Sequence, residues 1–205
     1  MSRKDHWEDV YASRAPQQVG WYEPRLQASL RWIRSLRLPA DAPVIDVGGG
    51  ASTLVDDLLG LGHEDITVLD ISEEALWTAR ARLRGRAEAV TWIAADITEV
   101  ELPPAHYALW HDRAVFHFLT GQEDRRRYLD NLLHALRPGG HVVMGTFAPD
   151  APPRCSGLPV QRYDAERLDD TLGAQLELRD HFRELHLTPG GVEQMYLYCL
   201  FRRRP

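Results

Sequence analysis

Four aspartates recur at one kind of place in this chain, in or directly after a short apolar run. Asp46 lies in Val44-Ile45-Asp46-Val47, Asp70 closes Ile66-Thr67-Val68-Leu69, Asp96 follows Ala94-Ala95, and Asp112 follows Leu109-Trp110-His111. An ionised carboxylate accepts hydrogen bonds and donates none. A set of them suits a ligand rich in hydrogen-bond donors. Just after Asp46 the chain reads Val47-Gly48-Gly49-Gly50-Ala51-Ser52. Glycines let a backbone come close to a ligand, and a helix starting behind them offers free amides to an anionic moiety. The stretch His111-Asp112-Arg113-Ala114-Val115-Phe116-His117-Phe118 supplies two candidate general bases, His111 and His117, because imidazole titrates nearest neutrality.

The glycine turn narrows the chemistry. A P-loop needs Gly-Lys-Ser/Thr, and no lysine stands here. A dinucleotide fingerprint read from Gly48 would need its third glycine where Thr53 stands. The two cysteines, Cys155 and Cys199, make no metal framework, and His63-Glu64 and His111-Asp112 are isolated pairs. No metal is expected, and Cys155 reads as an inert thiol.

The elements that must position these residues alternate. Strands are expected at 44–47, 66–70, 90–94, 107–110 and 142–144, with helices at 52–61, 73–84 and 121–136 between them. Ser72 reads as a helix N-cap with Glu73 and Glu74 in the first turn. Thr120 to Glu123 fits a capping box. Pro138-Gly139-Gly140 reads as a helix stop. Such alternation means a parallel sheet. Residues 176–187 and 195–201 break the rhythm as two strands joined by Thr188-Pro189-Gly190-Gly191, expected to pair antiparallel. Two helices precede the core, at 3–13 and 23–37, the second with Leu26, Leu30 and Ile33 on one face. The expected fold is a doubly wound α/β, Rossmann-like domain of seven strands, mostly parallel with the last strand antiparallel. It is one domain over 1–205, with a helical cover over 1–40 and a cofactor-binding core over 41–205.

The chain has 205 residues, a formal net charge of −6, and a single lysine, Lys4. The acidic balance argues against a nucleic-acid partner. The run Arg125-Arg126-Arg127 beside Glu123 and Asp124 reads as a solvated helix face. No apolar run approaches the roughly 20 residues that span a bilayer, and the charged first residues carry no secretory h-region. A cytoplasmic protein without a membrane partner is expected. The sequence does not fix the oligomeric state.

In order and spacing, the glycine turn and the acids that follow it resemble the motifs of class I S-adenosylmethionine-dependent methyltransferases, from Pro43 to near Arg203. The resemblance implies S-adenosyl-L-methionine as cofactor. It implies that Asp46, Gly48, Gly49 and Gly50 form the cofactor turn, that Asp70 binds the ribose hydroxyls, and that Ile71 packs on the adenine. Asp96 would bond the adenine amino group, flanked by Ala95 and with the Ile97 amide helping, and the His111 backbone would meet the cofactor's amine. Several small members of the class begin with an element similar to Trp7-x-x-x-Tyr11 and then Gly20-Trp21-Tyr22. Tyr11, Trp21 and Tyr22 would then cover the cofactor, as a lid or as a hydrophobic seam. Arg162 and Tyr163 are candidate substrate residues. The expected activity is methyl transfer by in-line displacement to a small molecule, with a protein lysine as the other acceptor class. A nicotinamide-dependent oxidoreductase and a non-catalytic module that kept the fold are the alternatives.

Overall fold

Residues 2–205 are described here from a computed structural model. Five apolar runs form parallel strands: β1 (Val44–Val47), β2 (Ile66–Asp70), β3 (Val90–Ala94), β4 (Tyr107–Arg113) and β5 (Leu136–Phe147). Residues 154–159 make a two-stranded hairpin, β6 (Arg154–Cys155) and β7 (Leu158–Pro159). The chain ends in β8 (Leu176–Leu187) and β9 (Glu193–Arg203). The main sheet has the order β3-β2-β1-β4-β5-β9-β8, and β9 lies antiparallel between β5 and β8. The seven-stranded doubly wound expectation therefore holds. Parallel strands covered on both faces read as continuous apolar runs; β1 and β2 are buried throughout.

The topology also sets the site. β1 pairs with β2 on one side and β4 on the other, so the connections diverge there. Ligands of open α/β sheets bind beyond the carboxyl ends at such a switch point. The register puts Asp46 beside Val68 and His111, and Val47 beside Leu69 and Asp112.

The helices are α1 (Arg3–Ser13), α2 (Gln27–Leu36), α3 (Leu54–Gly60), α4 (Glu73–Leu83), α5 (Gln122–Ala135) and α6 (Ala165–Leu172). The Ser72 hydroxyl accepts the Ala75 amide at 3.1 Å, as its N-cap position requires. The capping box expected at Thr120 does not form. Gly121 is the N-cap, so Glu123 falls one position short and cannot reach back. Its carboxylate instead holds Arg126 at 2.7 Å and Arg127 at 3.0 Å on the solvated face. Helix α2 starts later than expected, at Gln27, and Glu23 lies outside it, accepting from Arg113 at 2.6 Å. Leu26, Leu30 and Ile33 are buried in one cluster with Val143 and Leu200.

Strand β5 runs straight out of α5, with Pro138-Gly139-Gly140 bulged out of the ladder: Leu136 pairs with Tyr107, and His141 with Leu109. The β6–β7 turn has Ser156 and Gly157 at φ 50° and 79°, the left-handed pair that a tight two-residue hairpin demands. Among the described residues no helix is long and apolar enough to cross a membrane.

Candidate active site

One cavity opens at the carboxyl ends of β1, β2 and β4. Asp70, Ile71, Ala95, Asp96 and Ile97 line one end. Arg113, Ala114, Phe118 and Cys155 line the other. Gly48 lies between them, and Arg3, Trp7, Tyr11 and Trp21 come from the N-terminal cover. A second chamber is lined by Asp46, Gly49, His111, Ser52 and Tyr22, and it shares Gly48, Tyr11, Trp21 and Arg113 with the first. The sequence-derived residues are thus gathered at one locus, except Gly50, Asp112, His117, Arg162 and Tyr163, which line neither chamber.

The glycines keep this space open. A β-carbon at Gly48, whose φ is +68°, would stand 2.0 Å from Val115 Cγ2. One at Gly50, φ +32°, would stand 2.5 Å from Asp70 Oδ2. Gly50 therefore acts by leaving room for the Asp70 carboxylate. One at Gly49 would meet Asp46 Oδ2 at 2.6 Å.

The carboxylates are held by short local bonds. Asp70 Oδ1 accepts the Ser72 amide at 2.9 Å. Burial pushes the Asp70 carboxyl up to about 7; the Ser72 amide works against this, and nearby Asp46 adds to it. Asp96 Oδ1 accepts the Thr98 amide at 2.9 Å and its hydroxyl at 2.8 Å. Arg3 of α1 reaches both Asp96 oxygens, at 3.3 and 3.1 Å, and Asp124 at 2.8 Å. Asp46 Oδ1 meets His111 Nδ1 at 2.6 Å, while its Oδ2 is buried without a partner.

Neither candidate base offers a free lone pair to the cavity. His111 Nε2 meets the Ser29 hydroxyl of α2 at 2.8 Å, so both ring nitrogens are engaged. His117 is fully buried, and its Nδ1 accepts the Phe147 amide at 3.2 Å, which leaves the proton on Nε2. Burial, with Arg113 nearby, pulls its pKa down to about 3. Asp112 caps the turn that follows β4: it accepts the Val115 amide at 3.0 Å, the Phe116 amide at 3.2 Å and the Tyr128 hydroxyl at 2.6 Å. Burial lifts its carboxyl to about 6 against the pull of Tyr128.

The candidate substrate residues are committed elsewhere. Arg162 donates to the Pro149 and Ala151 carbonyls at 2.8 and 3.0 Å, and Tyr163 is buried in the main core. They brace the segment after β5 from outside the cavity. Sequence reasoning did not single out Arg113 or Arg3. Arg113 donates to Tyr198 (2.8 Å), the Trp21 carbonyl (2.8 Å) and Glu23 (2.6 Å), with its guanidinium 4.6 Å from the Tyr196 ring centroid. Its position directly after His111-Asp112 was the available signal. Cys155, expected to be inert, forms part of the cavity wall. Burial pushes its thiol up to about 12.

The cover is an aromatic roof. Trp7 packs against Trp21 at 5.5 Å, Phe118 at 5.0 Å and Tyr11 at 6.4 Å between centroids, and Tyr11 against Trp21 at 5.9 Å. The rings of Trp7, Tyr11 and Trp21 that line the cavity also pack on one another and against Phe118. Among the described residues no cluster could hold a metal ion.

Residues 44–140 match a family model described as a methyltransferase domain. The chain is 27% identical over 150 residues to the eEF1A lysine and N-terminal methyltransferase of Bos taurus, covering 70% of this chain and 21% of that protein. It thus spans about a fifth of the length of that curated relative. Among solved structures it resembles one described as "Conversion of a Disulfide Bond into a Thioacetal Group during Echinomycin Biosynthesis", with TM-score 0.79 and 19% identity over 99% of this chain and 93% of the other. It also resembles the 1,6-didemethyltoxoflavin-N1-methyltransferase of Burkholderia thailandensis, with TM-score 0.72 and 22% identity over 98% and 84% of the two chains. That structure holds 1,6-didemethyltoxoflavin and S-adenosylhomocysteine.

Proposed function

We propose that the chain is a class I, S-adenosylmethionine-dependent methyltransferase that moves a methyl group from that cofactor to a small acceptor in its cavity, a reading supported by the methyltransferase-domain match over residues 44–140 and by the strand order of the sheet. One observation carries the reading: two carboxylates, a glycine turn and an aromatic roof line a single cavity at the sheet's switch point.

The residues fit the cofactor. Asp46 Oδ2 is a buried acceptor without a partner in the second chamber, where the cofactor's ammonium would satisfy it. Asp70 would accept the ribose hydroxyls, and Asp96 the adenine amino group between Ala95 and Ile97. Ile71 would pack on the ring. Bound there, S-adenosylmethionine supplies a methyl group already activated on a sulfonium. The faces of Trp7, Tyr11 and Trp21 attract such a cation by roughly 0.5–2 kcal/mol. Helix α1 keeps water out, and holding the two reactants in line supplies much of the rate.

The roof supports a small acceptor. Arg3 is tied to Asp96 and Asp124, and Glu8 accepts the Ser72 hydroxyl at 2.8 Å, so the cavity is covered from above. Incubating the protein with tritiated cofactor and cell extract tests this. Label in the small-molecule fraction is expected; label confined to protein would replace the acceptor with a side chain. Failure to bind S-adenosylmethionine at all would remove the whole reading.

A further inference from the structure

Resting on that reading, we propose that the acceptor attacks through a lone pair that carries no proton at neutral pH, a heteroaromatic nitrogen or a thiolate sulfur. The reason is that, among the described residues, none that lines the reacting end of the cavity is placed to receive a proton.

The reacting end is the one walled by Arg113, Ala114, Phe118 and Cys155. Arg113 is a cation whose partners are Glu23, the Tyr198 hydroxyl and the Trp21 carbonyl. Glu23, which lines the second chamber, is gripped by Arg113 at 2.6 Å and His186 at 3.0 Å. Burial works the other way, yet those two partners hold its carboxyl below the usual range. Cys155 keeps its proton, since burial raises it to about 12. Tyr11 keeps its own, since burial and then Asp70 push its hydroxyl up. Both ring nitrogens of His111 are bonded, and His117 and Asp112 line neither chamber.

Asp70 and Asp96 do face the cavity, but from β2 and the end of β3. These lie two and three strand spacings from β4, roughly 10–15 Å. A general base must come within about 3 Å of the proton it takes. A lysine ammonium must lose a proton before it attacks, and nothing here receives it. With an unprotonated acceptor none is needed. The acceptor's lone pair forms the bond to the methyl carbon, the S–CH₃ bond breaks, and its electron pair stays on sulfur.

The full chain, loaded with S-adenosylhomocysteine, is titrated calorimetrically with quinoline, benzenethiol and n-butylamine. The titrations are run at neutral pH in two buffers of different ionisation heat, and methyl transfer to each probe is then measured with S-adenosylmethionine. At least one of the first two is expected to bind about tenfold or more tighter than butylamine, with no heat that depends on the buffer, and to be methylated. Quinoline and benzenethiol distinguish nitrogen from sulfur. Equal binding of butylamine, or proton release with it, overturns the inference. So does a loaded protein that takes up none of the three, and that outcome leaves the cofactor reading intact. A protein that fails to load S-adenosylhomocysteine fails at the earlier step.

Discussion

The carboxylate of Glu8, on the covering helix, seats on the start of α4, where it accepts the Ser72 hydroxyl at 2.8 Å. It also accepts the Glu73 amide at 2.8 Å and the Glu74 amide at 3.2 Å. One helix thus caps another, with the acid at the positive end of the α4 dipole. Ser72 in turn donates its amide to Asp70. The latch of the roof and the proposed ribose acid are therefore two residues apart on one turn.

Glu8→Ala should loosen α1 without unfolding the core. A lost cap is worth about 1 kcal/mol. The expected result is a several-fold faster release of S-adenosylhomocysteine, followed by stopped-flow fluorescence of Trp7 and Trp21. Unchanged release would mean the latch does not govern exchange.

Asp70→Asn should alter stability in a pH-dependent way. Its carboxyl lies near 7 in the fold against an ordinary 3.8, so the folded state favours the protonated form. The stability contributed by that proton is complete below about pH 4 and is lost as the pH rises through about 7. The neutral variant should match the parent near pH 4 and exceed it by up to a few kcal/mol near pH 8, at about 1.4 kcal/mol per tenfold change in proton affinity. Urea unfolding at both pH values measures this, and a constant difference would contradict it.

The same carboxyl should control cofactor affinity. The ionised form offers both oxygens as acceptors to the ribose hydroxyls, whereas protonation turns one of them into a donor. S-adenosylmethionine should therefore bind up to about tenfold tighter with each pH unit approaching 7, then level off. Asp70→Asn should flatten the profile and weaken binding by roughly 1.5–3 kcal/mol. Calorimetry across the pH range decides.

Gly48→Ala should abolish tight cofactor binding. It combines a left-handed backbone, which for an L-residue carries a penalty of roughly 1–2 kcal/mol, with a clash against Val115. Adding Val115→Ala removes the clash alone. The double variant should recover part of the melting temperature lost, and no recovery would place the whole penalty in the backbone.

His111→Ala should destabilise the fold by about 1–3 kcal/mol, because it strips partners from buried Asp46 and Ser29. His117→Gln should leave the pH dependence of transfer unchanged. A lost inflection in that profile would restore His117 as a base.

The core strands and the acids at their ends were legible because each follows an apolar run, and the period of such runs is a local property. Ser72 was legible as a cap for the same reason. The fates of His111, Arg162 and Glu123 were not. Each depends on a partner set by tertiary packing: Ser29 from α2, the Pro149 and Ala151 carbonyls, and an N-cap shifted by one residue. Arg3 and Glu8 escaped notice because a charged residue on a short terminal helix looks solvated until the surface it meets is known.

The two ends of the cavity differ in how they are built. The end proposed to hold adenosine is delivered by β2 and β3, where any shift of the backbone would disturb the sheet's ladder. The opposite wall includes Cys155, carried on a hairpin whose turn at Gly157 has open space around it. Cys155 itself packs with Phe147 of β5 and with Tyr196 and Tyr198 of β9, so it is the turn at 156–157 that can be lengthened with little effect on the strands. The tip of this hairpin is therefore the natural handle for altering the reach of that wall while the proposed donor site is left alone.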